Sequence, residues 1–212
     1  MRLNPEGKPY ILAPAALAGV LGALGFRKAA AASAAAAAGV AYFFRDPQRQ
    51  PPYRRDVVVS PADGEIIVVK RTFEPRWLKS EAWQIGIFMS VLDVHVNRAP
   101  VTGVVEGIEH QPGEFVPAYD LDSVHRNERR YYYLTREDGT KVMMVQVAGA
   151  LARRTVPFVA PGDAVSMGER IGMIRFGSRV EVFLPLRAQP LVVVGHRVRA
   201  GETPLALLPE EG

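Results

Sequence analysis

The residues with the most distinctive chemistry are Gly177 and Ser178, which lie between two apolar stretches of the chain. Glycine has no Cβ, so its carbonyl can be held in a strained backbone geometry and approached closely by the hydroxyl of the following serine. Attack by that hydroxyl turns the amide into an ester, and β-elimination then frees a carboxyl end at Gly177. The dehydroalanine left at position 178 takes up water and loses ammonia to become an N-terminal pyruvoyl group. The pair is therefore a candidate self-cleavage site, although Gly-Ser is also a common turn sequence.

Histidines and carboxylates are the usual groups that move protons at such a site. Of four histidines, His95 is the best candidate, because it follows Asp93 in an apolar, strand-like stretch; the same pattern is typical of a core histidine bonded to backbone. Asp63 lies at an Asp-Gly turn, where an aspartate is usually the turn former. The other histidines are predicted to be structural or exposed: His110, His125 and His196. Spacings typical of metal ligands, phosphate loops and dinucleotide-binding folds are missing from the sequence, so no metal site is predicted.

The composition indicates one domain, or a domain with an appendage, since 212 residues can bury one sizeable core. The chain has no cysteine, which excludes disulfides, thiolate metal sites and cysteine nucleophiles. The formal net charge is +4, and two basic clusters would suit either anionic lipid headgroups or a solvated surface. They are Arg45, Arg49, Arg54 and Arg55, and later Arg126, Arg129 and Arg130. The clusters lack the interleaved aromatic residues of a nucleic-acid-binding module, so no nucleic acid is predicted as a partner.

Residues 11 to 44 are apolar and rich in alanine, and Arg27 and Lys28 are their only charges. Each apolar half is about 15 residues long, shorter than the roughly 20 that a straight transmembrane helix requires. We therefore predict two short helices in a re-entrant or interfacial hairpin, or one longer irregular span; a cleaved signal peptide and a soluble helix are the alternatives. The arginines after Phe44 favour a cytoplasmic location for the rest of the chain. Residues 1–50 are thus predicted to be a membrane-associated helical segment.

After Pro52 the pattern changes to short runs of branched and aromatic residues, separated by turn sequences such as Asp138-Gly139. The predicted strands lie at 57–59, 66–69, 85–89, 101–108, 131–134, 142–147, 171–174, 180–184 and 191–194. A Val-x-x-Gly-Glu pattern occurs at 165–169 and again at 198–202, as in the hairpins of lipoyl- and biotinyl-type barrel sandwiches. Residues 51–212 are therefore predicted to form a mainly β domain with a barrel-sandwich-like or partly open β-barrel core.

Three segments, in this order, resemble the phosphatidylserine decarboxylase proenzymes in their short, membrane-associated form. They are Ser60-Pro61-Ala62-Asp63-Gly64, the Asp-Val-His-Val-Asn-Arg-Ala-Pro run that ends at Pro100, and Gly177-Ser178. The resemblance implies a carboxy-lyase that converts phosphatidylserine into phosphatidylethanolamine, with a covalent pyruvoyl cofactor derived from Ser178. It also implies self-cleavage into a long β chain, residues 1–177, and a short α chain, residues 178–212. The two chains would stay together as a heterodimer at the cell membrane, where the phospholipid substrate lies.

The same resemblance implies roles for particular side chains. Asp63, His95 and Ser178 match an Asp-His-Ser constellation, in which an imidazole takes the serine proton and an ionised carboxylate fixes the tautomer of the imidazole. Long bacterial members have a second histidine three residues after the first, where this chain has Arg98. Either His95 serves both self-cleavage and decarboxylation, or Arg98 takes over binding of the substrate carboxylate or phosphate. The run from Asn127 to Arg129 also resembles the short form and is either structural or close to the headgroup.

Two other functions are compatible with the sequence. A membrane-tethered barrel-sandwich binding or carrier domain would use Gly177-Ser178 as an ordinary turn and would stay one intact polypeptide. A decarboxylase of an ether-linked, archaeal-type phosphatidylserine analogue would carry out the same headgroup chemistry on a different lipid.

Overall fold

The computed structural model describes residues 2–116, 126–149, 154–174 and 178–209. The chain divides into two compact units, Met1–Gln48 and Arg49–Gly212. The elements of the first unit are helical, and those described in the second are β-strands. The mainly β fold class predicted from the sequence is confirmed.

The first unit contains a short 3-10 helix, Pro5–Gly7, and two α-helices, α1 (Lys8–Ala23) and α2 (Arg27–Phe43). Alanine has the highest helix propensity of all residues, which accounts for α2 through the alanine tract at 29–38. The two helices pack against each other, and the Ser33 hydroxyl of α2 donates to the Pro14 carbonyl of α1 at 2.8 Å. Among the described residues, no helix combines the length and the apolar character needed to cross a membrane.

The second unit is built on an eight-stranded antiparallel sheet that curls into a half-barrel. In spatial order its strands are β13 (Arg197–Val198), β2 (Gly64–Glu74), β3 (Ser80–Met89), β11 (Ser178–Pro185), β7 (Lys141–Ala148), β6 (Arg129–Thr135), β5 (Gly103–Gln111) and β9 (Ala164–Val165). The predicted Asp138-Gly139 turn joins β6 to β7. The strand that begins at Ser178 is therefore paired on both sides, with β3 and with β7.

Two smaller sheets complete the unit. One has the order β1 (Val57–Val59), β14 (Pro204–Leu207) and β12 (Gln189–Pro190); the other has the order β4 (Val96–Arg98), β10 (Arg170–Ile174) and β8 (Thr155–Pro157). Successive strand residues point to opposite faces of a sheet. On β11, Val180, Val182 and Leu184 face the main hydrophobic core, while Phe183 packs on a smaller cluster on the other face.

The two Val-x-x-Gly-Glu segments form equivalent turns. Gly168 and Gly201 both have positive φ, 81° and 74°, a conformation that glycine adopts without steric cost. The Gly168 N–H donates to the Ala99 carbonyl at 2.9 Å, and the Gly201 N–H donates to the Ser60 carbonyl at 2.7 Å. Both acceptors precede a proline. The two turns are thus repeats of one motif at corresponding places in the fold.

One of the predicted strands is wrong. Residues 191–194 do not form a strand but connect β12 to β13, and Val193 and Val194 are exposed. An apolar run indicates burial or extension, but it does not by itself supply a neighbouring strand with which to pair.

Candidate active site

Ser178 is the first residue of β11 and lies opposite Met89 of β3 and Ala148 of β7. Its side chain is fully buried, and its hydroxyl donates to the Met89 thioether sulfur at 3.3 Å. A thioether is a weak acceptor, so little is lost when the hydroxyl turns away from it to attack a carbonyl. Gly177, the other half of the predicted cleavage site, lies outside the described residues. The structure therefore places the predicted nucleophile in a buried position at the start of a doubly paired strand.

His95 lies in the connection between β3 and β4 and is completely buried. Its Nδ1 is 2.9 Å from the backbone carbonyl oxygen of Asp93. Because a carbonyl can only accept, this contact keeps the proton on Nδ1 and leaves Nε2 as the nitrogen that can take up a proton. The His95 carbonyl accepts from the Ile174 N–H at 3.2 Å. Ile174 precedes Ser178 by four residues, which span at most about 14 Å, so His95 and Ser178 lie in the same region of the β unit.

The loop that carries His95 is fixed by the Asp93 side chain. Asp93 Oδ2 accepts from the Ser90 N–H at 2.9 Å and from the Ser90 hydroxyl at 2.7 Å. Its Oδ1 accepts from Arg197 Nη2 at 2.5 Å. Arg197 begins β13, so the loop is tied to a strand that is distant in sequence. The orientation of the imidazole therefore depends on a loop held from two sides.

Asp63 lies between β1 and β2, and both of its carboxylate oxygens have partners. Oδ2 pairs with Arg49 Nη2 at 2.7 Å, and Oδ1 accepts from the Ala200 N–H at 2.7 Å. Burial raises the pKa of Asp63 above its ordinary value despite the opposing effects of Ala200 and Arg49, and the charge of Asp93 raises it further. Gly64, the neighbour of Asp63, pairs with Val198 of β13, and Arg197 of the same strand binds Asp93, so Asp63 and the loop of His95 both border β13. Arg49, predicted to belong to a lipid-facing or solvated cluster, is instead largely buried against this carboxylate.

Arg98, the predicted substrate-binding residue, is the last residue of β4 and is buried. Its Nη1 donates to the Gly168 carbonyl at 2.7 Å, and its backbone N–H donates to the Pro61 carbonyl at 2.9 Å. A Cβ at Gly201 would lie 2.9 Å from Arg98 Cδ, so the arginine stem passes close to this second turn as well. Arg98 therefore links the two repeated turns to the segment that precedes Asp63.

Comparison with known proteins identifies the family. The sequence model described as phosphatidylserine decarboxylase matches residues 36–206, which include Asp63, His95 and Ser178. The chain belongs to the phosphatidylserine decarboxylase family. The phosphatidylserine decarboxylase proenzyme of Polynucleobacter asymbioticus is 50% identical over 204 residues, covering 96% of this chain and 94% of the relative. That of Thermobifida fusca is 49% identical over 209 residues, covering 96% and 92%. That of Erythrobacter litoralis is 42% identical over 221 residues, covering 98% and 88%.

The predicted resemblance to phosphatidylserine decarboxylases, and with it the prediction of an enzyme, is confirmed by these matches. Sequence reasoning missed part of the site, however. A chain of buried amides and a phenol runs beside Ser178: Gln146 Nε2 donates to Asn97 Oδ1 at 2.8 Å, and the Tyr132 hydroxyl donates to Gln146 Oε1 at 3.1 Å. Burial raises the pKa of Tyr132 well above its ordinary value, so the hydroxyl stays protonated. The sequence does contain one sign of this buried network: Gln146 is a polar residue inside an apolar run.

This network reaches the surroundings of Ser178 through Asn97. Asn97 Nδ2 lies 3.8 Å from Met89 Sδ, the atom that accepts from the Ser178 hydroxyl, and 3.4 Å from the Pro61 carbonyl oxygen. Asn97 therefore touches both the strand beside Ser178 and the turn that leads to Asp63. Its buried amide holds these two segments at a set separation.

Asn127, in the run that resembles the short-form decarboxylases, has a structural role. Its Oδ1 accepts from the Val116 N–H at 2.9 Å, and its Nδ2 donates to the carbonyls of Val116 and Ala148, both at 2.7 Å. Ala148 is a cross-strand neighbour of Ser178. The Glu128 carbonyl accepts from the Ala148 N–H at 2.9 Å. Both residues thus hold the end of β7 next to the candidate cleavage site.

Proposed function

We propose that this protein is a pyruvoyl-dependent phosphatidylserine decarboxylase, made as a proenzyme that cuts itself between Gly177 and Ser178. The observation that carries the proposal is the buried Ser178 hydroxyl at the start of β11, within chain reach of a buried histidine whose Nε2 can accept a proton. Family membership supports the reaction, since the relatives are named phosphatidylserine decarboxylase proenzymes. That name also supports processing of the chain.

In the proposed self-cleavage, the hydroxyl oxygen of Ser178 bonds to the carbonyl carbon of Gly177, and His95 Nε2 takes up the hydroxyl proton. The imidazolium gives this proton to the Ser178 nitrogen as the C–N bond between the two residues breaks, and an ester remains. Loss of the α-proton at 178 then breaks the Cβ–O bond and releases the Gly177 carboxylate. Water replaces the nitrogen at 178, which leaves as ammonia, and a ketone stays at the head of β11. Asp63 borders β13, as does the loop of His95. In its ionised form, its carboxylate supplies negative charge that stabilises the imidazolium.

The surroundings of Ser178 fit a pyruvoyl group. The group is made from the serine's own atoms, and its methyl takes the place of the hydroxymethyl that now contacts Met89 Sδ. A thioether packs well against a methyl group, whereas it is only a weak partner for a hydroxyl. At this position a pyruvoyl group supplies a carbonyl that condenses with the substrate amine and accepts the electron pair left when carbon dioxide departs.

The residues around position 178 have separate tasks in this proposal. His95 holds the proton that the substrate carbon receives in place of its carboxylate. Arg98 is the proposed cation for the substrate carboxylate or phosphate, because the planar fork of N–H donors on a guanidinium matches the geometry of either group. The burial of Ser178 keeps the reacting atoms in surroundings of low dielectric constant, which strengthens every charge interaction there.

The two proposed chains would stay together after the cut. The short chain, residues 178–212, contributes β11 to β14, and three of these strands pair with strands of the long chain. β11 lies between β3 and β7, β13 pairs with β2, and β14 pairs with β1. Hydrogen bonds and core packing, which do not depend on the bond between 177 and 178, hold the heterodimer.

The helical unit is the proposed membrane anchor. Several of its large apolar side chains are exposed, among them Leu12, Leu24 and Phe26 at 60–65% of their full area. A two-chain phospholipid stays in the bilayer, so an enzyme that acts on it has to approach the membrane. Arg45 lies just after this unit's second helix, which favours a cytoplasmic position for the β unit.

The deciding experiment is intact mass spectrometry of the wild-type protein, Ser178→Ala and His95→Asn. The wild type should give two fragments divided after Gly177, the smaller lighter than a serine-initiated peptide by one ammonia molecule, and should convert phosphatidylserine in mixed micelles. Both variants should remain whole. His95→Asn is the sharper variant, because its amide can still donate to the Asp93 carbonyl while Nε2 is gone. A wild-type protein that stays in one piece overturns the proposal.

A further inference from the structure

A buried ion pair follows directly after the candidate cleavage site. Arg179 and Glu181 lie on β11, on the face opposite the Ser178 side chain, because strand residues alternate between faces. Their side chains are 1% and 0% exposed. Arg179 Nε donates to Glu181 Oε1, and Gln84 Nε2 of β3 donates to Glu181 Oε2 at 3.0 Å. The pair is therefore joined to the neighbouring strand as well as to its own.

Room for the pair comes from a glycine. Gly86 of β3 is the register partner of Glu181. A Cβ at Gly86 would lie 2.9 Å from Glu181 Oε1 and 3.2 Å from Arg179 Nη2, closer than such atoms normally approach. Glycine inside a strand weakens it and commonly marks the close approach of another group. Here the approaching group is the ion pair.

Stability does not account for this arrangement. The desolvation of a buried ion pair is offset by its attraction only in favourable geometry, and apolar replacements of similar volume are commonly as stable. Burial raises the pKa of Glu181 despite the opposing charge of Arg179. Within the described residues, Arg179 Nη1 has no hydrogen-bond partner. The pair thus has a cost that an apolar core would avoid.

The ion pair of Arg179 and Glu181 can instead hold the start of β11 in place. If the chain is cut after 177, residue 178 becomes a chain end, and chain ends fray unless they are held. The backbone of Ser178 pairs with Met89 and Ala148, and the next residue along is Arg179. The Arg179 side chain is bonded to Glu181, and Glu181 is bonded across to Gln84 of β3. This buried linkage resists movement of the chain end in a way that backbone pairing alone does not.

We propose that Arg179, Glu181 and Gln84 are positioning residues that keep the head of β11 in register, so that position 178 stays at the reaction site before and after the cut. The proposal rests on the self-cleavage described above. None of the three side chains needs to touch the reacting atoms. Their effect acts through the backbone of β11, which carries the reacting group.

The main test variant is the apolar double substitution Arg179→Met/Glu181→Met. Its matched control is Arg76→Met/Glu109→Met, which removes an exposed ion pair, 2.8 Å long, that borders the same sheet. Thermal unfolding is compared in uncut Ser178→Ala proteins. Self-cleavage half-time, the kcat and KM of the cut enzyme on phosphatidylserine micelles, and amide hydrogen exchange of β11 are compared in proteins with Ser178.

The β11 variant should unfold within a few degrees of its parent. We expect its kcat to fall by roughly tenfold to a hundredfold with KM nearly unchanged, because small displacements of a reacting group are costly. Self-cleavage should slow and exchange at the head of β11 should rise, while the control matches the wild type. Wild-type kcat and exchange in the β11 variant would overturn the proposal. Failure of the proposed function is a different result: the wild-type protein itself would neither cut itself nor decarboxylate phosphatidylserine.

A second variant covers the case in which the double substitution does not fold. Gly86→Ala leaves all charges in place and intrudes on the pair from β3. It should lower kcat and raise β11 exchange in the same way as the double substitution. Normal kcat and exchange in a folded Gly86→Ala protein would count against the positioning role as strongly as the first result.

Discussion

Asp63 and Thr102 occupy corresponding positions in the two repeats of the fold, and each accepts a backbone N–H from the facing turn. Ala200 donates to Asp63 Oδ1 at 2.7 Å, and Met167 donates to Thr102 Oγ1 at 3.0 Å. A hydroxyl thus does in one repeat what a carboxylate does in the other. A hydroxyl is therefore sufficient to form the turn, and the turn does not account for the negative charge of Asp63, which pairs with Arg49.

The first prediction separates the turn-forming role of Asp63 from the role of its charge. It compares Asp63→Thr with Asp63→Val, because the threonine and valine side chains have almost the same shape. Threonine should keep the bond to Ala200, as Thr102 does with Met167, and valine should not. In the uncut Ser178→Ala background, Asp63→Thr should therefore be more stable to urea than Asp63→Val by about 1 kcal/mol or more. With Ser178 present, neither variant should cut itself at the wild-type rate, as followed by gel electrophoresis under denaturing conditions.

Thr102→Val serves as the control for this comparison. It should lose a similar amount of stability yet still cut itself, because it removes the same bond from the repeat that lacks a carboxylate. Wild-type cleavage by Asp63→Thr would show that Asp63 is only a turn former.

The second prediction concerns the pH dependence of stability. Burial holds the pKa of Asp63 above its ordinary value of 3.8, so the folded protein keeps this proton at a pH where the unfolded chain has lost it. In that window the folded state binds more protons than the unfolded state, and stability contributed by Asp63 falls as the pH rises. Below the window and above it, the contribution is constant.

Urea unfolding of Ser178→Ala, with and without the additional substitution Asp63→Asn, measures this contribution from about pH 3.5 upwards. The free energy of unfolding of the protein that keeps Asp63 should decrease relative to that of the Asp63→Asn variant as the pH rises above about 3.8, and the difference should then level off. The opposite slope would mean that Arg49 and Ala200 outweigh burial and that the carboxylate is stabilised in its charged form.

The third prediction concerns the buried network of Tyr132, Gln146 and Asn97. Gln146→Leu leaves the Asn97 oxygen and the Tyr132 hydroxyl without their partner in a dry interior. We expect a loss of about 2 to 4 kcal/mol in the free energy of unfolding, measured with urea in the Ser178→Ala background. Self-cleavage of the Ser178 protein should slow, because Asn97 contacts the sulfur that holds the serine hydroxyl.

Tyr132→Phe/Gln146→Leu is the matched control, since it removes the orphaned hydroxyl together with the glutamine. This protein should be more stable than Gln146→Leu alone, because one of the two unpaired groups is gone. Equal stabilities would show that the Tyr132 hydroxyl finds another partner and that the chain of three is not a unit.

Much of the fold could be predicted because its signals are local. The alanine tract predicts α2 through propensity, and turns such as Asp138-Gly139 separate strand-like runs of branched and aromatic residues. The error at 191–194 has the same origin, since an apolar run carries no information about its pairing partner. Ser178, His95 and Asp63 lie in three short segments within the range that the family model matches, and their roles stay predictions.

The amino-acid sequence by itself determined the mainly β class, the helical character of the N-terminal segment and the repeated Gly-Glu turns, because turn chemistry and side-chain periodicity act over a few residues. The candidate nucleophile and histidine came from the resemblance of three short segments to the phosphatidylserine decarboxylases. Only the tertiary structure decided what these residues touch. β11 pairs with β3 and β7, Asp63 binds Arg49 and Ala200, and Arg98 binds the Gly168 carbonyl. Most of these partners are far apart in sequence, and contacts of that kind are set by strand register and by where the whole sheet curls, which no short stretch of residues encodes.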